Sequence, residues 1–258
     1  MAKVQIGPGR FRLSYWIHVI TPIVTTGFRA AALPVPDGSK VTNAQITQGP
    51  ASIESAVDEV LAAPGVVDAA IKAEADGANA VVIDCMLDPG LDAAREAVSI
   101  PVIGCGEVAM RAADAKFAVV TVLQRQERAF ADLARKYGLA DRMTGTVGIG
   151  VPVLALEADR ATAITATIRG SQEAIERGAK VIVFGCTGML DFASEVSEAL
   201  GGIMVVDPLP TAIAVAHTTA ESGQSTDKSA YPFPDAKPVV GFAQWAALDA
   251  LMKGQRDG

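Results

Sequence analysis

Cys85 and Cys186 end two closely similar phrases, Gly77-Ala78-Asn79-Ala80-Val81-Val82-Ile83-Asp84-Cys85 and Gly178-Ala179-Lys180-Val181-Ile182-Val183-Phe184-Gly185-Cys186, which lie 101 residues apart in a chain of 258. In both, an apolar run leads from a Gly-Ala pair to a single thiol. Two thiols presented from opposite sides to one carbon can do a particular chemistry: a thiolate removes a proton from one face, and a thiol returns one to the other. The sulfurs exchange roles when the substrate has the opposite handedness.

The elements that would hold those sulfurs repeat as well. Phe117-Ala118-Val119-Val120-Thr121 answers Tyr15-Trp16-Ile17-His18-Val19-Ile20-Thr21, and Ile203-Met204-Val205-Val206 answers Ile100-Pro101-Val102-Ile103. Residues 41–49, ahead of Pro50-Ala51-Ser52-Ile53-Glu54, are answered by 145–151 and Pro152-Val153-Leu154-Ala155-Leu156-Glu157. An offset of this length marks a duplicated domain-sized unit, because solenoid repeats run to about 20–50 residues. Each half reads as strand, strand, long helix, strand, helix, strand. The Val- and Ile-rich runs 80–84 and 181–184 suit central strands of parallel sheets buried on both faces. The predicted fold is α/β, with two pseudo-symmetric domains and a cleft between them. The first begins with residues 1–113, and the second spans 114–216.

Local signals fill in the units. Residues 55–75 show helical spacing with a break or kink expected at Pro64-Gly65, and the counterpart helix runs from about 159 to Arg177, where Gly178 stops it. Asp88-Pro89 reads as a helix start, with Asp as cap and Pro in the first turn. Cys85 then lies between the carboxyl end of a strand and a helix, the edge of a parallel sheet where ligands bind. Backbone N–H groups there would lower a thiol's pKa. Thr187 and Gly188, directly after Cys186, would let backbone amides approach a substrate oxygen and hold an enolate. Thr21 and Thr121, at the matched first-strand ends, are expected to line the same part of the cleft.

The remaining candidates point elsewhere. Cys105 has no cysteine counterpart and is expected to serve packing. His18 and His217 lack ligand-like spacing, so neither a zinc site nor any other metal site is expected. Gly104-Cys105-Gly106 lacks the third glycine of a nucleotide fingerprint, and no cofactor is expected. Glu107 and Asp207 follow the fourth strand of each half and suit helix capping or tuning of the thiols. Asp84 should point to the face of the sheet opposite Cys85.

Composition narrows the function class. Half the residues are hydrophobic, the net charge is −7 and the pI is about 4.9, which argues against nucleic-acid and anionic-membrane partners. Three cysteines without disulfide-type spacing suit a reducing compartment. Arg10 and Arg12, ahead of Leu13 to Val24 and Ala30-Ala31-Ala32, mimic a secretory leader. His18, Thr21 and Pro22 interrupt that run, and its removal would delete a strand of the repeat. The expected location is cytoplasmic.

These residues carry a resemblance. Cys85-Met86-Leu87-Asp88-Pro89-Gly90-Leu91-Asp92-Ala93-Ala94-Arg95, Pro101 to Met110, Gly49-Pro50-Ala51-Ser52-Ile53-Glu54 and Gly185-Cys186-Thr187-Gly188-Met189 resemble the aspartate/glutamate racemase superfamily, within it the hydantoin and allantoin racemase branch, over roughly residues 40 to 215. The resemblance implies cofactor-independent epimerisation of a small molecule by Cys85 and Cys186, homo-oligomers, and a last segment, 217–258, returning to the first domain of residues 1–113. The chain departs from the family where Thr21-Pro22-Ile23 replaces the usual Asn-Pro-Asn. Apolar Met86 and Leu87, where amino-acid racemases carry polar side chains, favour a neutral ring such as a 5-substituted hydantoin or allantoin, with Met86 and Leu87 lining the pocket. Three alternatives stay open: a maleate-type cis–trans isomerase, an arylmalonate-decarboxylase-like enzyme, and a non-catalytic protein that closes on a small metabolite.

Overall fold

The computed structural model describes residues 2–5, 11–26, 33–241 and 243–254. Its first part contains β1 (Ala2–Gln5), β2 (Phe11–Thr21), β3 (Ser39–Gln45), α1 (Ala56–Ala75), β4 (Ala80–Ile83), α2 (Leu91–Ala97), β5 (Val102–Gly104) and α3 (Cys105–Ala112). The second contains β6 (Phe117–Thr121), α4 (Glu127–Lys136), β7 (Met143–Gly148), α5 (Ala155–Ala158), α6 (Arg160–Glu176), β8 (Val181–Phe184), α7 (Ala193–Ala199) and β9 (Met204–Val206). Among the described residues, α8 (Pro208–Glu221) and α9 (Ala246–Met252) follow.

The duplication shows in the strand order. Parallel strands run β3-β2-β4-β5 in one sheet and β7-β6-β8-β9 in the other. Strand β1 adds an antiparallel extension to the start of β2, from Ala2 opposite Ser14 to Gln5 opposite Phe11. The central strands β4 and β8 are buried along their whole length, as their unbroken apolar runs require. One hydrophobic core joins the first sheet to the Phe117, Val119, Val181 and Val183 face of the second. A separate core lies on the opposite face, where Val120, Ile182 and Phe184 meet α6 and α7.

Several local expectations need correction. Helix α1 runs through Pro64 without interruption. A proline inside a helix costs a backbone hydrogen bond, and packing holds the helix together: Val66, Ala62 and Ala70 are buried around it. Helix α2 begins at Leu91, after Gly90 in the left-handed region, and Asp88 itself has φ +48°. Asp88 caps a different helix, accepting from the Gly106 N–H at 2.8 Å and the Glu107 N–H at 2.7 Å at the start of α3. Helix α4, between the first two strands of the second unit, was missing from the pattern read in sequence. The return to the first unit also comes earlier than residue 217. All of α8 packs on the first sheet, against β2, β4, β5 and α3, with Leu209, Ala212, Ile213 and Ala216 buried there. Beyond it, Thr226 bonds to Ser99 and Ile100, Lys228 bonds to Arg95 and Glu96, and α9 packs on α1.

Candidate active site

The ends of β2, β4 and β8 meet at one cavity of about 330 Å³. From the first unit it is lined by Thr21, Pro22, Ile23, Thr25, Thr26, Ile53, Asp84 and Cys85. From the second come Val153, Leu154, Leu156, Glu157, Cys186, Thr187 and Gly188. Both half-buried thiols therefore border the same space from different halves. The halves are tied together around it. Thr187 Oγ1 donates to the Asp84 carbonyl at 3.3 Å, the Val153 N–H donates to Glu54 Oε1 at 2.8 Å, and Gln126 Nε2 donates to the Ile53 carbonyl at 3.4 Å.

Each sulfur is met by a backbone N–H two residues on. The Leu87 N–H donates to Cys85, and the Gly188 N–H donates to Cys186 Sγ at 3.3 Å. Such donors favour thiolate, but at Cys85 they are outweighed. Burial pushes the Cys85 thiol well above the ordinary range, and Cys186, Asp88 and Asp84 push it the same way. The expectation of a depressed thiol at a helix start is thus reversed for Cys85. The first few residues after it form turns rather than a helix, and acids lie nearby. Asp88 is lifted to about 7 because its burial outweighs the donors from Tyr137, Gly106 and Glu107; Tyr137 Oη reaches it at 2.6 Å from the end of α4.

Of the residues expected around the substrate, Thr21, Thr187 and Gly188 border the cavity, and Met86, Leu87 and Thr121 do not. Met86 and Leu87 are buried in the core of the first unit; the Met86 carbonyl would lie 2.2 Å from a Cβ at Gly106, so the turn after Cys85 is pressed flat on α3. Thr121 is fully buried, donating to Gln126 Oε1 at 2.8 Å and lying 3.2 Å from the Gly185 carbonyl. It positions Gln126, which in turn holds Ile53. Asp84 was expected on the opposite face but borders the cavity, its Oδ2 accepting from Thr21 Oγ1 at 2.9 Å. Strand β4 stops at Ile83, so the alternation of faces no longer applies one residue later. The apolar wall comes from Ile23, Ile53, Val153, Leu154 and Leu156 rather than from Met86 and Leu87.

Other candidates lie outside the cavity. Cys105 is buried at the first turn of α3. His18 Nδ1 lies 2.8 Å from Thr42 Oγ1, and His217 Nδ1 lies 2.7 Å from Ser39 Oγ. Glu107 pairs with Arg95 at 2.7 Å and Arg111 at 3.1 Å. Asp207 precedes α8 without a capping bond from its side chain, which accepts from the Asp191 N–H at 3.2 Å. Arg125 borders a separate cavity between α1 and α4. Among the described residues, no group of three or more His, Cys, Asp or Glu side chains is placed to hold a metal ion, and no helix is long and apolar enough to cross a membrane.

Comparison with known proteins agrees with this geometry. A family model for Asp/Glu/Hydantoin racemase matches residues 21–216. The chain is 35% identical over 235 residues to a hydantoin racemase of Pseudomonas sp. (strain NS671), covering 87% of this chain and 94% of that one. It is 34% identical to a hydantoin racemase of Rhizobium meliloti, covering 87% and 97%. An allantoin racemase from Klebsiella pneumoniae superposes with a TM-score of 0.83 at 30% identity, over 91% of this chain and 99% of that one. An arylmalonate decarboxylase, at 20% identity and TM-score 0.59, shares the fold alone. With its two similar parallel sheets and one cavity at their strand ends, this chain belongs to the Asp/Glu/Hydantoin racemase family and is an isomerase of the racemase class.

Proposed function

We propose that the protein racemises C5 of a 5-monosubstituted hydantoin by two-base proton transfer between Cys85 and Cys186, without a cofactor. The observation that carries this is the pair of thiols bordering one cavity from opposite halves of the fold. Cys85 holds its proton at rest, being pushed up by burial and neighbouring negative groups. The first proton abstraction then falls to Cys186, whose sulfur accepts the Gly188 N–H. Cys85 delivers its proton to the opposite face, and the next turnover can run in reverse. The turn of Thr187 and Gly188 faces the developing enolate oxygen, where backbone donors stabilise negative charge.

The 5-substituent we propose is apolar. Ile23, Ile53, Val153, Leu154 and Leu156 form the wall that would receive it, and each buried CH₂ is worth about 0.8 kcal/mol. A ureido arm buried there without partners would cost about 1–3 kcal/mol. The likeness to allantoin racemases favours allantoin as the second reading. Incubating single enantiomers in D₂O should show optical rotation decaying as deuterium enters C5. The kcat/KM for 5-alkyl or 5-benzyl hydantoins should exceed that for allantoin, and a tenfold preference for allantoin would replace the first reading by the second. No deuterium entry with either ring, alongside measurable binding, would point to a non-catalytic binding protein. The proposal also places the enzyme in the cytoplasm, where thiols stay reduced, as a homo-oligomer, which sedimentation equilibrium would show.

A further inference from the structure

Cys85 and Cys186 open the same kind of turn. The Asp88 N–H donates to the Cys85 carbonyl at 3.2 Å, and the Met189 N–H donates to the Cys186 carbonyl at 3.1 Å. The side chains that close the two turns differ. Met189 is a fully buried apolar group, whereas Asp88 is a buried acid held by donors from two other elements. Its Oδ1 accepts from the Gly106 N–H and its Oδ2 from the Glu107 N–H, both at the start of α3, and Tyr137 Oη donates to Oδ2 from the end of α4 in the second unit. The carboxylate sits where only glycine leaves room. A Cβ at Gly104 would lie 2.6 Å from Asp88 Cγ, and one at Gly106 would lie 2.8 Å from Oδ2. Gly104-Cys105-Gly106, which is no nucleotide fingerprint, is thus the socket for this side chain. Asp88 is also one of two non-glycine residues with positive φ among those described. Such strain persists only where surrounding contacts over-determine it, and it gathers at functional sites.

We infer that Asp88 is a positioning residue for proton transfer at Cys85, clamping the thiol-bearing turn to α3 and, through Tyr137, to the second half of the fold. The inference rests on the two-thiol reading above. Leu87, whose N–H donates to the Cys85 sulfur, directly precedes Asp88. Fixing Asp88 therefore fixes that donor and the direction of the sulfur. Asp88 lies outside the lining of the thiol cavity and acts through Cys85. At the equivalent place in the second half, Met189 offers no carboxylate to hold, so loss of the clamp weakens transfer at one thiol and spares the other.

Isotope effects test this where rates alone cannot. The two enantiomers have equal energy, so kcat/KM must be the same in both directions whatever a substitution does. The primary isotope effect is not bound in this way. From a C5-deuterated 5-benzyl hydantoin, one enantiomer loses its deuteron to Cys85 and the other to Cys186. Slower transfer at Cys85 becomes more rate-limiting from the first and makes abstraction less so from the second. In Asp88→Asn, kcat should fall about tenfold or more with KM within about twofold of native. The ratio of the two isotope effects should move by about 1.5-fold or more from its native value. Tyr137→Phe keeps the Asp88 carboxylate and the ring beside Arg111 and Lys136, and removes one donor. Its kcat should fall about threefold, with the ratio moved in the same direction. An unmoved ratio in either folded variant would make the contact structural only and overturn the inference, as would native kcat in Asp88→Asn. Should Asp88→Asn fail to fold, Tyr137→Phe decides by the same ratio. If the native protein racemises allantoin and not hydantoins, the substrate reading alone falls and the ratio is measured on allantoin. If it racemises neither ring, the two-thiol reading falls and takes this inference with it.

Discussion

At the end of β2, Thr21 donates to a carboxylate that borders the cavity; at the matched end of β6, Thr121 donates to Gln126 and is sealed away from it. The residue before each cysteine decides the difference. In the first half it is Asp84. In the second it is Gly185, where a Cβ would come within 2.5 Å of Thr121 Cβ, so the threonine can settle over the backbone. The connections differ too. Between β2 and β3 the described residues form no helix, and Pro22, Ile23, Thr25 and Thr26 reach the cavity. Between β6 and β7 a 3-10 turn and α4 fill the corresponding space. Duplication thus supplied two similar strand ends with a thiol each, and small departures from symmetry changed what stands beside them: a carboxylate held by a threonine in the first half, a glycine under a sealed threonine in the second. A chiral substrate bound between identical halves would have no preferred orientation.

The comparison breaks first at the thiols if they are not equivalent in function. Cys85→Ser and Cys186→Ser should each lower racemisation by about 10³-fold, within the range for a general acid or base, as followed by polarimetry. Near-native rates in either variant would reduce the mechanism to one base. The next effect concerns Asp88, an acid of the first half; Met189 stands at the same offset in the second. Its folded pKa of about 7 lies above the unfolded value of about 3.9, so between those values the native state binds more protons. Its contribution to stability is fully present below about pH 4 and is lost as pH rises through about 7. Urea unfolding at pH 5 and pH 8 should show this fall in the native protein and a flatter profile in Asp88→Asn. Parallel profiles would place Asp88 among ordinary carboxylates.

Gly185→Ala should destabilise the second unit by about 1–3 kcal/mol through overpacking against Thr121, measured as a shift in urea midpoint; a neutral result would show that Thr121 has room to move. The smallest effects sharpen the contrast between the threonines. Thr121→Val leaves a buried acceptor on Gln126 without its donor and should cost about 1 kcal/mol of stability, with KM nearly unchanged. Thr21→Val should raise KM with little loss of stability. The reverse pattern would exchange the roles assigned to the two strand ends.

Much of this architecture was legible because duplication writes itself twice. The paired Gly-Ala-to-Cys phrases located both central strands and both thiols, and the unbroken apolar runs identified buried parallel sheets. What escaped depended on contacts distant in sequence. Asp88 looks like a local cap, but the N–H groups it accepts from belong to α3, and its third donor comes from Tyr137. Met86 and Leu87 follow the thiol directly, yet the turn carries them inward. The apolar wall at 153–156 sits in the connection to α5 and in α5 itself, where no periodicity announces a binding surface. Helix α4 did carry a readable signal in Phe130, Leu133 and Ala134, at helical spacing. Gly185 against Asp84 was visible in the aligned phrases as well, and marked the point where the symmetry of the site ends.

The late return of α8 to the first sheet bears on how the protein is born. Residues 117–206 form a contiguous unit that can close its sheet during synthesis, whereas β2, β4 and β5 stay uncovered on the α8 side until Pro208–Glu221 has left the ribosome. The half translated first is therefore the half completed last, and its exposed apolar strands wait through more than one hundred residues of elongation. A nascent chain stalled before residue 208 would present that bare sheet to chaperones even with every residue of the cavity already made.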